Sequence, residues 1–301
     1  MMELQGTVKR FGDFNALDGV DLQIQKGTAF GLLGSNGAGK STILRLFSGI
    51  YSPEQGSVLI DGENVYDNVA AKQKVFFIND ETVQFSEFTL IQLKNFYKQF
   101  YPSFSEEIFE RLEGIIQLPR DRRISTFSKG MKRQSIVITG IACCTPYLLL
   151  DEAFDGIDPT MRIIVKRMLF DAMCERQLTV VVSSHNLKEI GEMCDTAALL
   201  HKGKIVFNRQ LDSLKGAVHK VQAVFADKAR EFTAADFPGL QILHFDKTQS
   251  IYHIIAKGDE DAIRAALAPQ NPVVADMVPL TLEEIFIYEM EGLGYDSNVF
   301  A

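Results

Sequence analysis

Eight consecutive residues, Gly34, Ser35, Asn36, Gly37, Ala38, Gly39, Lys40 and Ser41, have the types and spacing of a phosphate cradle, G-x-x-x-x-G-K-S. Glycines let the backbone turn successive N–H groups toward one anion, and a helix that follows adds the positive end of its dipole. Lys40 would reach the β- and γ-phosphates, and Ser41 would offer its hydroxyl to Mg²⁺. An accidental glycine-rich turn is the competing reading, but a chance match somewhere in the chain is of order ~1% at ordinary residue frequencies. A second group completes the chemistry. The apolar run Tyr147, Leu148, Leu149, Leu150 ends in Asp151 and Glu152. A strand buried on both faces presents functional residues at its C-terminal edge. There Asp151 can hold Mg²⁺ through water, and Glu152 can polarise a water for attack on the γ-phosphate. Alone, such a pair is more often a solvated strand end or a helix cap. Beside a phosphate cradle, the catalytic reading prevails.

Short apolar runs alternate with segments of helical period, the pattern of an α/β domain with a mostly parallel sheet. Residues 30–33 read as a strand and 41–47 as a helix. Between residues 75 and 118 the texture changes. Thr89 can cap a helix whose apolar face is Leu90, Leu93, Phe96, Tyr97, Phe100 and Tyr101, and Pro102 stops it. Ser105 can start another, with Glu106 and Glu107 in the first turn and Ile108, Leu112 and Ile115 inside. A helical subdomain of about residues 80–145 is thus expected within a domain of residues 1–216, and the strand pattern resumes at Tyr147 and Thr179. Residues 217–301 read as a small C-terminal α+β appendage. Its expected strands are 221–225, 240–245 and 250–256, with helices at 259–267 and 282–290, the last capped by Thr281.

The composition, 46% hydrophobic and 23% charged over 301 residues, is that of a folded protein, and the net charge of −8 argues against wholesale nucleic-acid binding. Cys143, Cys144, Cys174 and Cys194 form no C-x-x-C pair and read as small buried thiols of a reducing compartment. The first residues lack the apolar core of a signal peptide, and no run approaches the ~20 apolar residues of a membrane span. A role at a membrane would be played from the water side.

Between the two sites, Phe127-Ser128-Lys129-Gly130-Met131 resembles LSGGQ, the signature of the ATP-binding cassette (ABC) family. Phe11 is similar to the aromatic that stacks on adenine in that family. Gly156-Ile157-Asp158-Pro159 resembles its D-loop, and Ser183-Ser184-His185 resembles the strand end that carries its switch histidine. The resemblance spans residues 3–215 and implies a P-loop NTPase cassette that hydrolyses ATP with Mg²⁺. It further implies that residues 34–41 and Thr42 line the nucleotide, and that Ser128 and Gly130 cap the γ-phosphate bound to a second cassette. Asp158 would lie along the dimer seam, and His185 would steady the attacking water. Without the family, Ser128 is simply a helix cap before a helix starting near Lys132, and His185 a structural histidine. His201, beside Lys202 and Gly203, reads as a turn residue.

The implied partners are a transmembrane permease and a second cassette, either a copy of this chain or a related subunit, with no direct contact to nucleic acid. The appendage is similar to the extension on cassettes of the ABC-2 type exporter group, which implies export, and the motor of such a transporter would sit peripherally on the cytoplasmic face of the membrane. Phe85 and Phe88 would help form the groove that receives the permease, whereas Phe96 and Phe100 suit a subdomain core. The alternative is a soluble ABC ATPase acting on ribosomes or nucleic acid. The short stretch between Lys40 and Ser128 leaves no room for a long coiled coil, and a single set of motifs disfavours the two-cassette translation type. Lys40, Asp151, Glu152 and His185 together disfavour a non-catalytic module. Three departures stand out. Asp80 occupies the place of a Gln that ligates Mg²⁺, which predicts slower hydrolysis or tighter dependence on a partner. Lys129 and Met131 replace a glycine and the glutamine of the signature, and Ala153 replaces a proline. No catalytic group is lost, so an active ATPase is expected.

Overall fold

The structure, a computed structural model, describes residues 1–79, 85–215, 218–227 and 229–292. The chain divides into two compact units, Met1–Asn208 and Arg209–Ala301. The first begins with β1 (Met2–Phe11), β2 (Phe14–Ile24), β3 (Ala29–Leu33), α1 (Lys40–Phe47), β4 (Gln55–Ile60), β5 (Glu63–Asn64), α2 (Val69–Lys72) and β6 (Val75–Ile78). Three helices follow, α3 (Leu90–Phe100), α4 (Glu106–Ile116) and α5 (Lys129–Ala142). The unit closes with β7 (Tyr147–Asp151), α6 (Pro159–Arg176), β8 (Thr179–Ser184), α7 (Leu187–Met193), β9 (Thr196–His201) and β10 (Lys204–Gln210).

Two sheets result. One has the order β10-β9-β3-β8-β7-β6, with β9, β3, β8, β7 and β6 parallel to one another. Its inner strands β3, β7 and β8 are buried at every residue, which is why they read as unbroken apolar runs. The other, β2-β1-β4-β5, is antiparallel and was not foreseen. Its first strand departs from simple alternation because register shifts interrupt it between Leu4 and Thr7 and again before Lys9, with Gly6 at φ 53°. Met2, Leu4, Leu22 and Ile24 of this sheet join Phe30, Leu32, Leu149 and Val181 of the other in one core, with Ile43 and Phe47 of α1 among them. Each such side chain contributes about 1.5–3 kcal/mol on burial. The anchoring of α1 is therefore what holds the residues just before it in place.

Thr89 caps α3 in a reciprocal box with Gln92, as its spacing predicts. Phe100 corrects an expectation: it is 53% exposed instead of sitting in the core, and Tyr101 is already past the helix. In α4 the buried face is Phe109, Leu112 and Glu113, so Ile115 points to solvent rather than inward. The helix expected near Lys132 begins at Lys129, because Ser128 accepts the Met131 N–H and starts it a turn earlier. Of the cysteines, Cys143 and Cys194 are buried, Cys144 is half-buried and Cys174 is exposed, so the uniform buried-thiol reading fails at Cys174.

The second unit contains α8 (Leu211–Lys215), β11 (Val218–Phe225), β12 (Gln241–Thr248), β13 (Ile251–Lys257), α9 (Glu260–Leu267), β14 (Pro272–Val278) and α10 (Leu282–Gly292). Its sheet, β12-β13-β11-β14, is antiparallel throughout. The core pairs Val221, Ala223, Phe225 and Ile254 of the sheet with Ile263 and Leu267 of α9. Edge strand β14 was not foreseen; Val273 and Val274 face solvent, so the run lacks a clean alternation. Among the described residues no helix is long and apolar enough to cross a membrane.

Candidate nucleotide site

The loop from β3 to α1 is where the eight cradle residues fall. Gly34 adopts φ 150°, and a Cβ there would lie 2.4 Å from the Leu200 carbonyl oxygen. Gly39, at φ 113°, forms the N-cap of α1, where a Cβ would lie 2.8 Å from the Ala16 carbonyl oxygen. Both positions need glycine for backbone conformation and for space. The turn between β9 and β10 closes on the same loop: Gly203 donates its N–H to the Ala38 carbonyl at 3.1 Å and accepts from the Asp18 N–H at 3.0 Å. Lys40 is buried, and its Nζ donates to the carbonyls of Gly34 at 2.7 Å and Ser35 at 3.2 Å. Burial lowers the Lys40 pKa from the usual lysine range, an effect Glu152 and Asp151 partly offset.

The end of β7 brings the carboxylates to this loop. Ser41 Oγ donates to Asp151 Oδ1 at 3.1 Å, and Ser183 Oγ donates to the same oxygen. Asp151 is fully buried, and its Oδ2 has no hydrogen-bond partner. A buried anionic oxygen beside a serine hydroxyl is a poor end state in a dry interior and a good one beside a hydrated cation. Among the described residues no group of three or more acidic, His or Cys side chains forms a metal cage. The donor set therefore fits a hard cation that takes its remaining ligands from water and phosphate. Asp80, expected to be a further ligand, lies outside the described residues.

Glu152 takes φ 47°, held by its N–H donating to the Ser183 carbonyl at 3.2 Å. Its Oε1 lies 3.9 Å from Lys40 Nζ and its Oε2 3.1 Å from His185 Nδ1. Burial raises the Glu152 pKa, opposed by His185 and Lys40. A carboxylate held above its ordinary range is a stronger base toward water. Lys40, Ser41, Asp151, Glu152 and His185 thus converge on one point from three parallel strands.

One cleft over this point is lined by Phe11, Phe14, Ala16, residues 36–42 and Glu152. Phe11 is 44% exposed and meets Tyr51 edge-on at 5.3 Å. Phe14 faces Phe11 across the β1–β2 hairpin and is 60% exposed. An adjoining opening is lined by Asp13, Phe14, Asn15, residues 35–38, His201 and Lys202. Sequence reasoning missed Phe14 and gave His201 no role beyond a turn. The available signal was the pair of phenylalanines flanking Gly12-Asp13, which places both on one edge of a hairpin.

Ser128, Gly130 and Asp158 lie elsewhere. They share a groove with Gln117, Lys129, Met131, Gly156 and Met161, and it has no lining residue in common with the cleft over the phosphate loop. Gly130 packs on the D-loop so closely that a Cβ would sit 3.0 Å from the Gly156 carbonyl oxygen. Asp158 Oδ1 accepts the N–H groups of Thr160 at 3.1 Å and Met161 at 3.0 Å, so its side chain caps α6. Phe85 and Phe88 are half-buried, stack at 5.1 Å, and continue into Phe96, 4.5 Å from Phe85. They form one aromatic cluster with the helix rather than a separate loop patch.

The family model described as ABC transporter matches residues 17–155. The chain is similar to the ABC transporter ATP-binding protein YtrB of Bacillus subtilis (strain 168), 29% identical over 97% of this chain and 99% of that protein. It is similar to the ABC transporter ATP-binding protein NatA of the same organism, 30% identical over 71% of this chain and 91% of that protein. The dimeric structure of a post-hydrolysis state of the ATP-binding cassette MJ0796, bound to ADP and Pi, superposes with a TM-score of 0.63 at 20% identity, covering 70% of this chain and 98% of that one. Further matches are named both for import and for export.

Proposed function

Since the chain belongs to the ABC transporter family as an ATP-hydrolysing, ATP-binding subunit, we propose that two cassettes close head to tail on ATP and drive a permease that exports its cargo. The observation that carries this reading is the separation of the clefts. The groove that holds Ser128 and Gly130 shares no lining residue with the cleft over the phosphate loop, which favours a nucleotide held between two cassettes over one held within a single chain. A cassette of known structure that is dimeric with ADP and phosphate supports the arrangement.

Each residue then has a task. Phe11 or Phe14 offers a ring face to the base. The N–H groups of residues 35–42 and Lys40 hold the phosphates, and Ser41 and Asp151 would hold Mg²⁺. That ion would supply charge compensation for the phosphate oxygens. Glu152 orients the attacking water and accepts its proton. His185 Nδ1 lies 3.1 Å from Glu152 Oε2, so the ring steadies the carboxylate and turns its other nitrogen toward the phosphates. The half-buried cluster of Phe85, Phe88 and Phe96, with exposed Phe100 at its end, would receive an apolar segment of the permease. The export direction rests on the resemblance of residues 217–301 to the extension of ABC-2 exporters, since the cassette carries no directional chemistry of its own.

Mixing two inactive variants tests the composite site. Lys40→Ala removes the phosphate loop's cation, and Ser128→Arg blocks the signature groove. A mixed dimer has one intact site, so a 1:1 mixture should recover about a quarter of wild-type turnover under random pairing. Two folded variants that recover nothing would remove the head-to-tail arrangement. In the same terms, Phe85→Ala with Phe88→Ala should keep ATP turnover but lose co-purification with the membrane subunit. Retained recruitment would move the permease contact elsewhere.

A further inference from the structure

His185 and the D-loop are separate in sequence, yet one buried carboxylate joins the elements that carry them. Glu189, in the first turn of α7, is buried with its two oxygens engaged on different segments. Its Oε2 accepts from Ser184 Oγ at 2.9 Å, and its Oε1 lies 2.9 Å from Arg162 Nη1. Ser184 Oγ accepts in turn from the Asn186 N–H at 3.0 Å, so the residues on both sides of His185 are pinned to Glu189. Arg162 sits in the first turn of α6. Its N–H donates to the Asp158 carbonyl at 2.9 Å, and its Nη2 donates to the Phe154 carbonyl at 3.4 Å. Arg162 therefore touches both ends of the loop 154–158, Asp158 with its backbone N–H and Phe154 with its guanidinium, and the same guanidinium reaches, through Glu189, the backbone that aims His185 at Glu152. A half-buried Arg against a buried carboxylate holds its geometry better than an exposed pair, because releasing either partner strands a charge.

We propose that Arg162 and Glu189 are positioning residues that couple the D-loop, where a second cassette would touch, to the His185–Glu152 pair. The inference rests on the composite-site reading. Closure of the partner on residues 156–158 shifts the first turn of α6. Through Arg162 and Glu189 that shift sets the distance between His185 Nδ1 and Glu152 Oε2. Hydrolysis then waits for the partner, with no change in how tightly ATP itself is held.

The structure supplies its own control. Lys166 and Glu192 join the same two helices at 2.8 Å; Lys166 Nζ also lies over the Phe154 ring, so Glu192 is the end of that bond to change. Single-turnover hydrolysis and ATP affinity would be measured for Arg162→Ala, Glu189→Gln, Arg162→Lys and Glu192→Gln in the full chain. Arg162→Ala and Glu189→Gln should lose at least about tenfold in rate, with ATP Kd within about threefold of wild type. Glu189→Gln is isosteric and guards against misfolding. Arg162→Lys, which can reach Glu189 without also reaching Phe154, should recover part of the loss. Glu192→Gln should stay within about threefold of wild type. Equal losses in Arg162→Ala and Glu192→Gln would mean only that α6 and α7 must pack, and an unchanged Arg162→Ala would remove the coupling outright. If the mixture of Lys40→Ala and Ser128→Arg recovered nothing, the composite-site reading beneath it would fail instead.

Discussion

Glu152→Gln is expected to lower ATP turnover by at least about a hundredfold, equivalent to about 2.7 kcal/mol of barrier, while ATP still binds. The replacement keeps the shape and the left-handed backbone at φ 47°, and it removes only the ability to take a proton. Gln can still accept a hydrogen bond from His185, now 3.1 Å from Oε2, so the pocket should not collapse. The lost charge lay 3.9 Å from Lys40, and its removal favours the triphosphate electrostatically. The variant should therefore accumulate an ATP-bound pair of cassettes. Phosphate release and size-exclusion chromatography in Mg-ATP, run side by side on wild type and variant, would show it. A variant within tenfold of wild-type rate would mean that another group activates the water.

Lys40→Ala should act at the other end, on binding. It is expected to weaken ATP affinity by at least about a hundredfold, or about 2.7 kcal/mol. The Lys40 ammonium is held against the carbonyls of Gly34 and Ser35 and is already partly desolvated, so most of the cost of burying it is met before the phosphates arrive. Alanine leaves those carbonyls facing the cleft, where water can satisfy them, so the fold should persist. Thermal unfolding with and without ATP reads both quantities at once. Wild type at a hundred times its Kd gains about 2.7 kcal/mol from the ligand, and the variant should gain almost none. An undiminished ATP shift would mean that the backbone N–H groups alone carry affinity.

What could be read from the sequence follows a physical boundary. The phosphate loop and the Asp151-Glu152 pair were legible because each is a continuous stretch whose chemistry dictates its residues. So were the caps at Thr89, Ser105 and Thr281, where the side chain bonds within three residues of itself. Phe14, His201 and Lys202 were not, because they reach the site only through the β1–β2 hairpin and the β9–β10 turn. Neither hairpin advertises which face meets position 36. The antiparallel sheet escaped notice for a related reason: register shifts in β1 interrupt the alternation by which half-buried strands are recognised. Phe100 was misplaced because helical period says which residues share a stripe, and not how far along it the neighbouring element extends.

The bond from Gly203 to Ala38 also has a meaning in time. It joins positions 165 residues apart (203 − 38), and at ordinary elongation rates of about 5–20 residues per second that separation lasts roughly 8–33 s on the ribosome. During that interval the glycine-rich loop exists without the turn that hydrogen-bonds to it. The contact that closes the loop can be made only by a chain synthesised past β9, so the loop's final geometry belongs to the nearly finished first unit.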